Sequence, residues 1–151
     1  MSPKDLVSKL LSENVHGVLA TSFSDKPYAC NVHFAFDDDF NIYWHSNGAR
    51  QHSQNIDKNT NASFAVARSY KLFEGPVSQV TITGQASKII DQEEIKRVDS
   101  IFTARFTDKK DLLEKILQNN DENGLYYYQL SPEQIAIFSN EFFPDQPKQI
   151  L

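Results

Sequence analysis

The sequence predicts a mainly β domain, a small antiparallel barrel with helices at its periphery. Three observations predict it. Runs of alternating apolar and polar residues recur along the chain, the clearest being Val80, Ile82, Gly84 and Ala86 against Gln79, Thr81, Thr83 and Gln85. The turns between the early runs are too short to hold a crossover helix, so neighbouring strands must run antiparallel. The strands vary in length and their turns are poor in glycine, which favours a closed barrel over a sandwich. At 151 residues, positions 1–151 fit one domain.

The elements follow in order. Ser2 caps a first helix, Pro3 fits its first turn, and Leu6, Val7, Leu10 and Leu11 form one apolar stripe that ends near Glu13 and Asn14. Gly17 to Phe23 is a strand, and the cluster from Ser24 to Pro27 is a turn. Tyr28 to Phe36 and Phe40 to Trp44 are the next two strands, separated by three aspartates. His52, Ile56 and Asn59 fall at helical spacing and predict a short helix after Gly48. Ala62 to Ala67 is a strand, residues 69 to 76 form a loop, and Val77 to Ile90 is the longest strand signal. Gly84 in its middle predicts a bulge or a close approach by another backbone. Asp91 caps a helix reaching Phe106 with the stripe Ile95, Val98, Ile101 and Phe102, and a second helix runs from Asp108 to Leu117. Leu125 to Leu130 and Gln134 to Phe138 are late strands around Ser131 and Pro132, and the tail from Phe142 is irregular. The expected total is about six barrel strands.

Composition excludes several classes. Fifteen Lys and Arg against 20 Asp and Glu leave a net charge of −5. That lacks the broad positive field that duplex nucleic acid or an anionic membrane needs. Cys30 is the single cysteine, so no internal disulfide and no multi-cysteine metal site can form. The five glycines are too scattered for a GxGxxG or GxxxxGK[ST] loop. His16, His33, His45 and His52 match no metal motif. No secretory leader and no apolar run of membrane-spanning length is visible, so the expected location is the cytoplasm.

Three segments carry a resemblance. They are HGVLATSFSDKPYACNVHFAFDDDFNIYWHS (16–46), SNGARQHSQNIDKNTNASFAVA (46–67) and SQVTITGQASKI (78–89), with Leu130, Ser131, Pro132 and Glu133 before a late strand. Their order and spacing resemble the pyridoxamine 5'-phosphate oxidase-like, FMN-binding split-barrel family, over roughly residues 5 to 140. The resemblance implies a six-stranded antiparallel split barrel, a homodimer, and FMN at the subunit interface beside a small-molecule substrate. It does not fix the reaction, since one barrel hosts many chemistries.

For the flavin phosphate, Ser46, Arg50 and His52 form the candidate cluster near a helix start. The resemblance carries Gln79 over as a flavin contact, because a carboxamide both donates and accepts at the ring edge. Asn31, Val32, Trp44 and His45 join from the second and third strands, where the family contacts the ring partly through backbone groups. Trp44 is either a wall for the ring or a core residue. Cys30, on an apolar face, reads as packing.

Two departures separate the chain from the true oxidases. Ala29 and Phe34 stand where those enzymes carry a basic pair, and the tail from Phe142 to Lys148 has neither their Arg-x-His motif nor their arginine-rich end. The expectation is an FMN-dependent oxidoreductase on a different substrate, with no catalytic acid or base assigned. The alternatives are a non-catalytic flavin or haem carrier, with His45 or His33 as the axial ligand, and a dimer without a cofactor.

Overall fold

The first helix, α1 (Pro3–Glu13), begins with a reciprocal cap: Ser2 Oγ accepts from the Asp5 N–H at 3.1 Å, and the Asp5 carboxylate accepts from the Ser2 N–H at 3.2 Å. Leu6, Val7, Leu10 and Leu11 are fully buried, so this helix plugs the inside of the curled sheet. Its last turn carries no basic residue. Arg105 supplies that charge from a later helix, donating to the carbonyls of Leu11, at 2.9 Å, and Asn14. The structure is a computed structural model and describes residues 1–68, 70–109, 111–119, 121 and 124–151.

The strands are β1 (His16–Phe23), β2 (Lys26–His33), β3 (Ala35–Phe36), β4 (Ile42–Asn47), β5 (Asn61–Ala67), β6 (Ser78–Lys88), β7 (Leu125–Ser139) and β8 (Lys148–Ile150). They form one sheet in the order β2-β1-β5-β6-β7-β4-β3, with β8 beside β7, and every pairing is antiparallel. Ser24 and Asp25, both with positive φ, make the tight β1–β2 turn whose twist suits the flanking strands.

Among the described residues the sheet has eight strands rather than about six, and it departs from the expected strands at three places. The expected strand from Tyr28 to Phe36 breaks at Phe34, whose N–H turns to the Val15 carbonyl. The tail is not wholly irregular, because Lys148–Ile150 pairs with β7. The two expected late strands are one, and Ser131 and Pro132 sit at an irregularity inside it instead of separating two strands. That irregularity faces Gly84, where the β6–β7 register shifts between Thr83 and Gly84. A Cβ on Gly84 would run into the Ser131 carbonyl, so both parts of the glycine's reading, bulge and close approach, are met.

The remaining helices are α2 (Gln51–Lys58), α3 (Gln92–Arg105) and α4 (Leu112–Leu117). Position 69 of the expected loop and position 110 of the expected 108–117 helix lie outside the described residues. Two apolar clusters result. One fills the barrel, from α1 to Leu19, Phe64, Ile82 and Trp44. The other lies on the outer side of β4 and the first half of β7, where Phe102, Val98 and Ile116 of α3 and α4 cover Tyr43 and Tyr127. No helix among the described residues covers the outer side of β1, β5, β6 and late β7. There Val18, Ala65, Thr81, Ala136 and Ile150 stand in one register row, and Ala67, Gln79, Phe138 and Lys148 in the next.

Candidate functional site

Strand alternation sends neighbouring residues of β4 to different places. Ser46 points towards α2, and His45 to the side covered by α3. Trp44 is fully buried inside the barrel, stacked on Tyr128 with ring planes 9° apart and centroids at 5.9 Å. In this chain it is a core residue.

Ser46 and His52 meet as expected: Ser46 Oγ lies 2.8 Å from His52 Nε2. The other ring nitrogen, Nδ1, lies 3.4 Å from Cys30 Sγ. The imidazole is therefore held from both sides. Burial, and then the nearby Arg50 charge, push its pKa below the ordinary histidine value. A neutral ring results, which orients the Ser46 hydroxyl and carries no charge of its own. Burial also pushes the Cys30 thiol up, so the sulfur stays protonated. Cys30 is thus part of this cluster. Its one sequence signal is that it shares the inward face of β2 with Val32, which packs half-buried against the barrel core.

Arg50 is exposed at the start of α2, and its side chain makes no hydrogen bond or ion pair among the described residues. Its side chain does not cap the helix, so the first-turn N–H groups of α2 point outward with no side-chain partner from Arg50. Beside them lies a cavity of about 550 Å³ between the β1–β2 hairpin and α2, lined by Lys26, Tyr28, Gln51 and Asn55 among others. Arg50 at the α2 N-terminus and the Ser46 hydroxyl held by His52 in its first turn are donors of the kind that suits a phosphate, while Lys26 lines the neighbouring cavity.

The other expected residues are dispersed. Asn31 is exposed on the outer face of β2, paired with Val18. Gln79 is exposed on the uncovered face of β6. Ser46 pairs with Tyr126 on β7, whereas Gln79 pairs with Phe138, twelve positions further along the same strand. That is roughly 40 Å of extended strand at 3.3 Å per residue. His45 meets Phe102 and Tyr127 edge to face, at 5.8 and 6.3 Å, and lines a separate cavity of about 300 Å³.

A model of the pyridoxamine 5'-phosphate oxidase family matches residues 3–138, and the chain belongs to that family. No curated protein matches it significantly. Among solved structures it is similar to a heme binding protein from Mycobacterium smegmatis, at 13% identity and TM-score 0.77, covering 100% of this chain and 58% of that one. It is also similar to a FAD-binding protein from Mesorhizobium loti, at 16% identity and TM-score 0.65, covering 91% and 94%. General Stress Protein 26 from Bacillus anthracis matches at 19% identity and TM-score 0.65, over 100% and 98%. At these identities the likenesses bear on the fold: a curled, antiparallel split barrel with peripheral helices. No helix among the described residues is long and apolar enough to cross a membrane.

Proposed function

We propose that the protein is a homodimeric flavoprotein that binds FMN between its two copies and acts as an oxidoreductase on a small molecule. The observation that carries this reading is the separation of Gln79 from Ser46 along β7. One copy has no evident way to bring both to one flavin, whereas a second copy, docked on the uncovered sheet face, can supply Gln79 to the Ser46 end of its neighbour. The row of exposed Val18 and part-buried Ala65, Thr81 and Ala136 gives that face a centre of small, uncharged side chains. Bound flavin supplies two-electron transfer at its N5. Arg50 and the α2 N-terminus hold the phosphate, and His52 fixes the Ser46 hydroxyl towards it. The flavin class also agrees with the family and with the likeness to the FAD-binding protein from Mesorhizobium loti.

The test is the absorption spectrum of freshly purified protein, then FMN titration of the wild type and of Arg50→Ala. A charge-assisted contact of about 1.5–3 kcal/mol predicts FMN binding weakened roughly 10- to 150-fold in the variant. Colourless protein that takes up no added FMN rejects the reading. A Soret band on haem addition without FMN uptake replaces it with the tetrapyrrole-carrier alternative.

A further inference from the structure

The cavity beside His45 lies on the α3 side of β4, away from the Ser46 and Arg50 cluster. Its walls are apolar, from Phe102, Phe106, Leu112 and Val15. Its polar lining is three groups that can donate, His45, His33 and Lys109, together with the exposed Asp108 carboxylate. The ring nitrogens of His45 have no hydrogen-bond partner among the described residues, although the ring is half-buried. Lys109 is nearly buried and gives one N–H to Asp99 Oδ1 at 2.7 Å; its other N–H groups have no acceptor among the described residues. Asp99 is occupied twice, since the Tyr127 hydroxyl donates to the same oxygen at 2.7 Å. At about 300 Å³ the space is at the small end of ligand sites, with room for one six-membered ring and a short head group.

We propose that this cavity is a binding site for a small monocarboxylate with an aromatic or branched apolar body. The body packs between Phe102, Phe106 and Leu112, and the carboxylate accepts from His45 and Lys109. The proposal stands apart from the flavin reading, because no residue of the phosphate cluster lines this space.

The charges facing His45 determine how such a ligand binds. They come from His33 on β2, Asp99 on α3, Asp108 and Lys109 after α3, and Tyr127 on β7, with His16 of β1 edge-on to His33. Asp99 cancels the Lys109 charge, and Asp108 at the rim is acidic. Burial lowers the His45 pKa first, then the neighbouring His33 and Lys109. The empty site is therefore not cationic at neutral pH. A bound carboxylate reverses the balance at His45 and draws a proton onto its ring, so binding and protonation are coupled.

The test is titration of flavin-free protein with benzoate, and with benzamide as the neutral isostere, at pH 6 and pH 8, by calorimetry in two buffers of different ionisation enthalpy. Benzoate is expected to bind about tenfold more tightly at pH 6 with net proton uptake, and benzamide to show no such change. His45→Gln is expected to abolish the pH dependence. Leu112→Trp, which fills the cavity from its lip without touching the donors, is expected to abolish binding and serves if His45→Gln fails to fold. Absence of saturable benzoate binding, equal pH behaviour of the two ligands, or unchanged binding in Leu112→Trp overturns the proposal. Loss of flavin in Arg50→Ala has no bearing on it.

Discussion

Gly84→Ala is the sharpest perturbation the fold offers. Gly84 does not have positive φ, so backbone strain does not enter and the cost is steric. The added Cβ would meet the Ser131 carbonyl and lie 3.0 Å from the Glu133 nitrogen. Both are backbone atoms of β7, and no rotamer change can clear them. The bulge must open, which adds overpacking of about 1–3 kcal/mol to the loss of one or two ladder hydrogen bonds at about 1 kcal/mol each. We take about 3 kcal/mol as the expected loss. For a domain of this size each kcal/mol moves Tm by roughly 2–4 °C, so Tm should fall by about 6–12 °C. Thermal unfolding followed by circular dichroism measures it, with Thr83→Ala, on the exposed face next door, as a control expected to change stability by about 0.5 kcal/mol or less. A Gly84→Ala protein that melts within about 2 °C of the wild type would refute the steric argument.

Two further predictions follow from the same structure. His45 and His52 both have folded-state pKa values below the ordinary 6.5, so in the window beneath it the unfolded chain binds protons that the folded chain refuses. Stability is then fully present above that value and is lost as pH falls through it. Tm should decline between about pH 7 and pH 5 and flatten in His52→Gln, and a wild-type profile level across that range contradicts the burial of these rings. On the uncovered face, Ala65→Arg puts a charge between Val18 and Thr81, at the centre of the proposed dimer contact. Dimer dissociation should rise by tenfold or more, from about 2–5 kcal/mol for an unpaired interfacial charge, and analytical ultracentrifugation reads it. A dimer as tight as the wild type places the interface elsewhere.

What the sequence disclosed was mostly local. The Ser2 cap, the Asp91 cap, the α1 stripe and the period-two pattern of β6 are all decided within a few residues of the chain, and each was legible. Gly84 was legible because a glycine inside a strand has few structural uses. The break at Phe34 was hidden, since Tyr28, Cys30, Val32, Phe34 and Phe36 keep one alternation straight through it. The pairing of Lys148–Ile150 with β7 was hidden because its partner lies in another element and the segment has only three residues. At the candidate site, the meeting of Ser46 with His52 was readable from their nearness in the chain. The Cys30 contact to His52 was not, because it joins residues 22 apart whose approach depends on how α2 sits over β2. The same holds for Asp99, Lys109 and Tyr127. Their convergence depends on helix placement over the sheet, to which side-chain periodicity is blind.

The long strand β7 has a consequence for how the protein is made. It is the partner that both β4 and β6 require, and it follows both of them in the chain. A ribosome must therefore complete β7 before either edge is covered. Until then β4 and β6 expose bare backbone donors and acceptors beside freshly emerged apolar side chains, the condition under which nascent chains adhere to one another. Holding chaperones should matter most in that interval, and stalled products lacking residues 125–139 should be aggregation-prone even where every earlier element is correctly encoded.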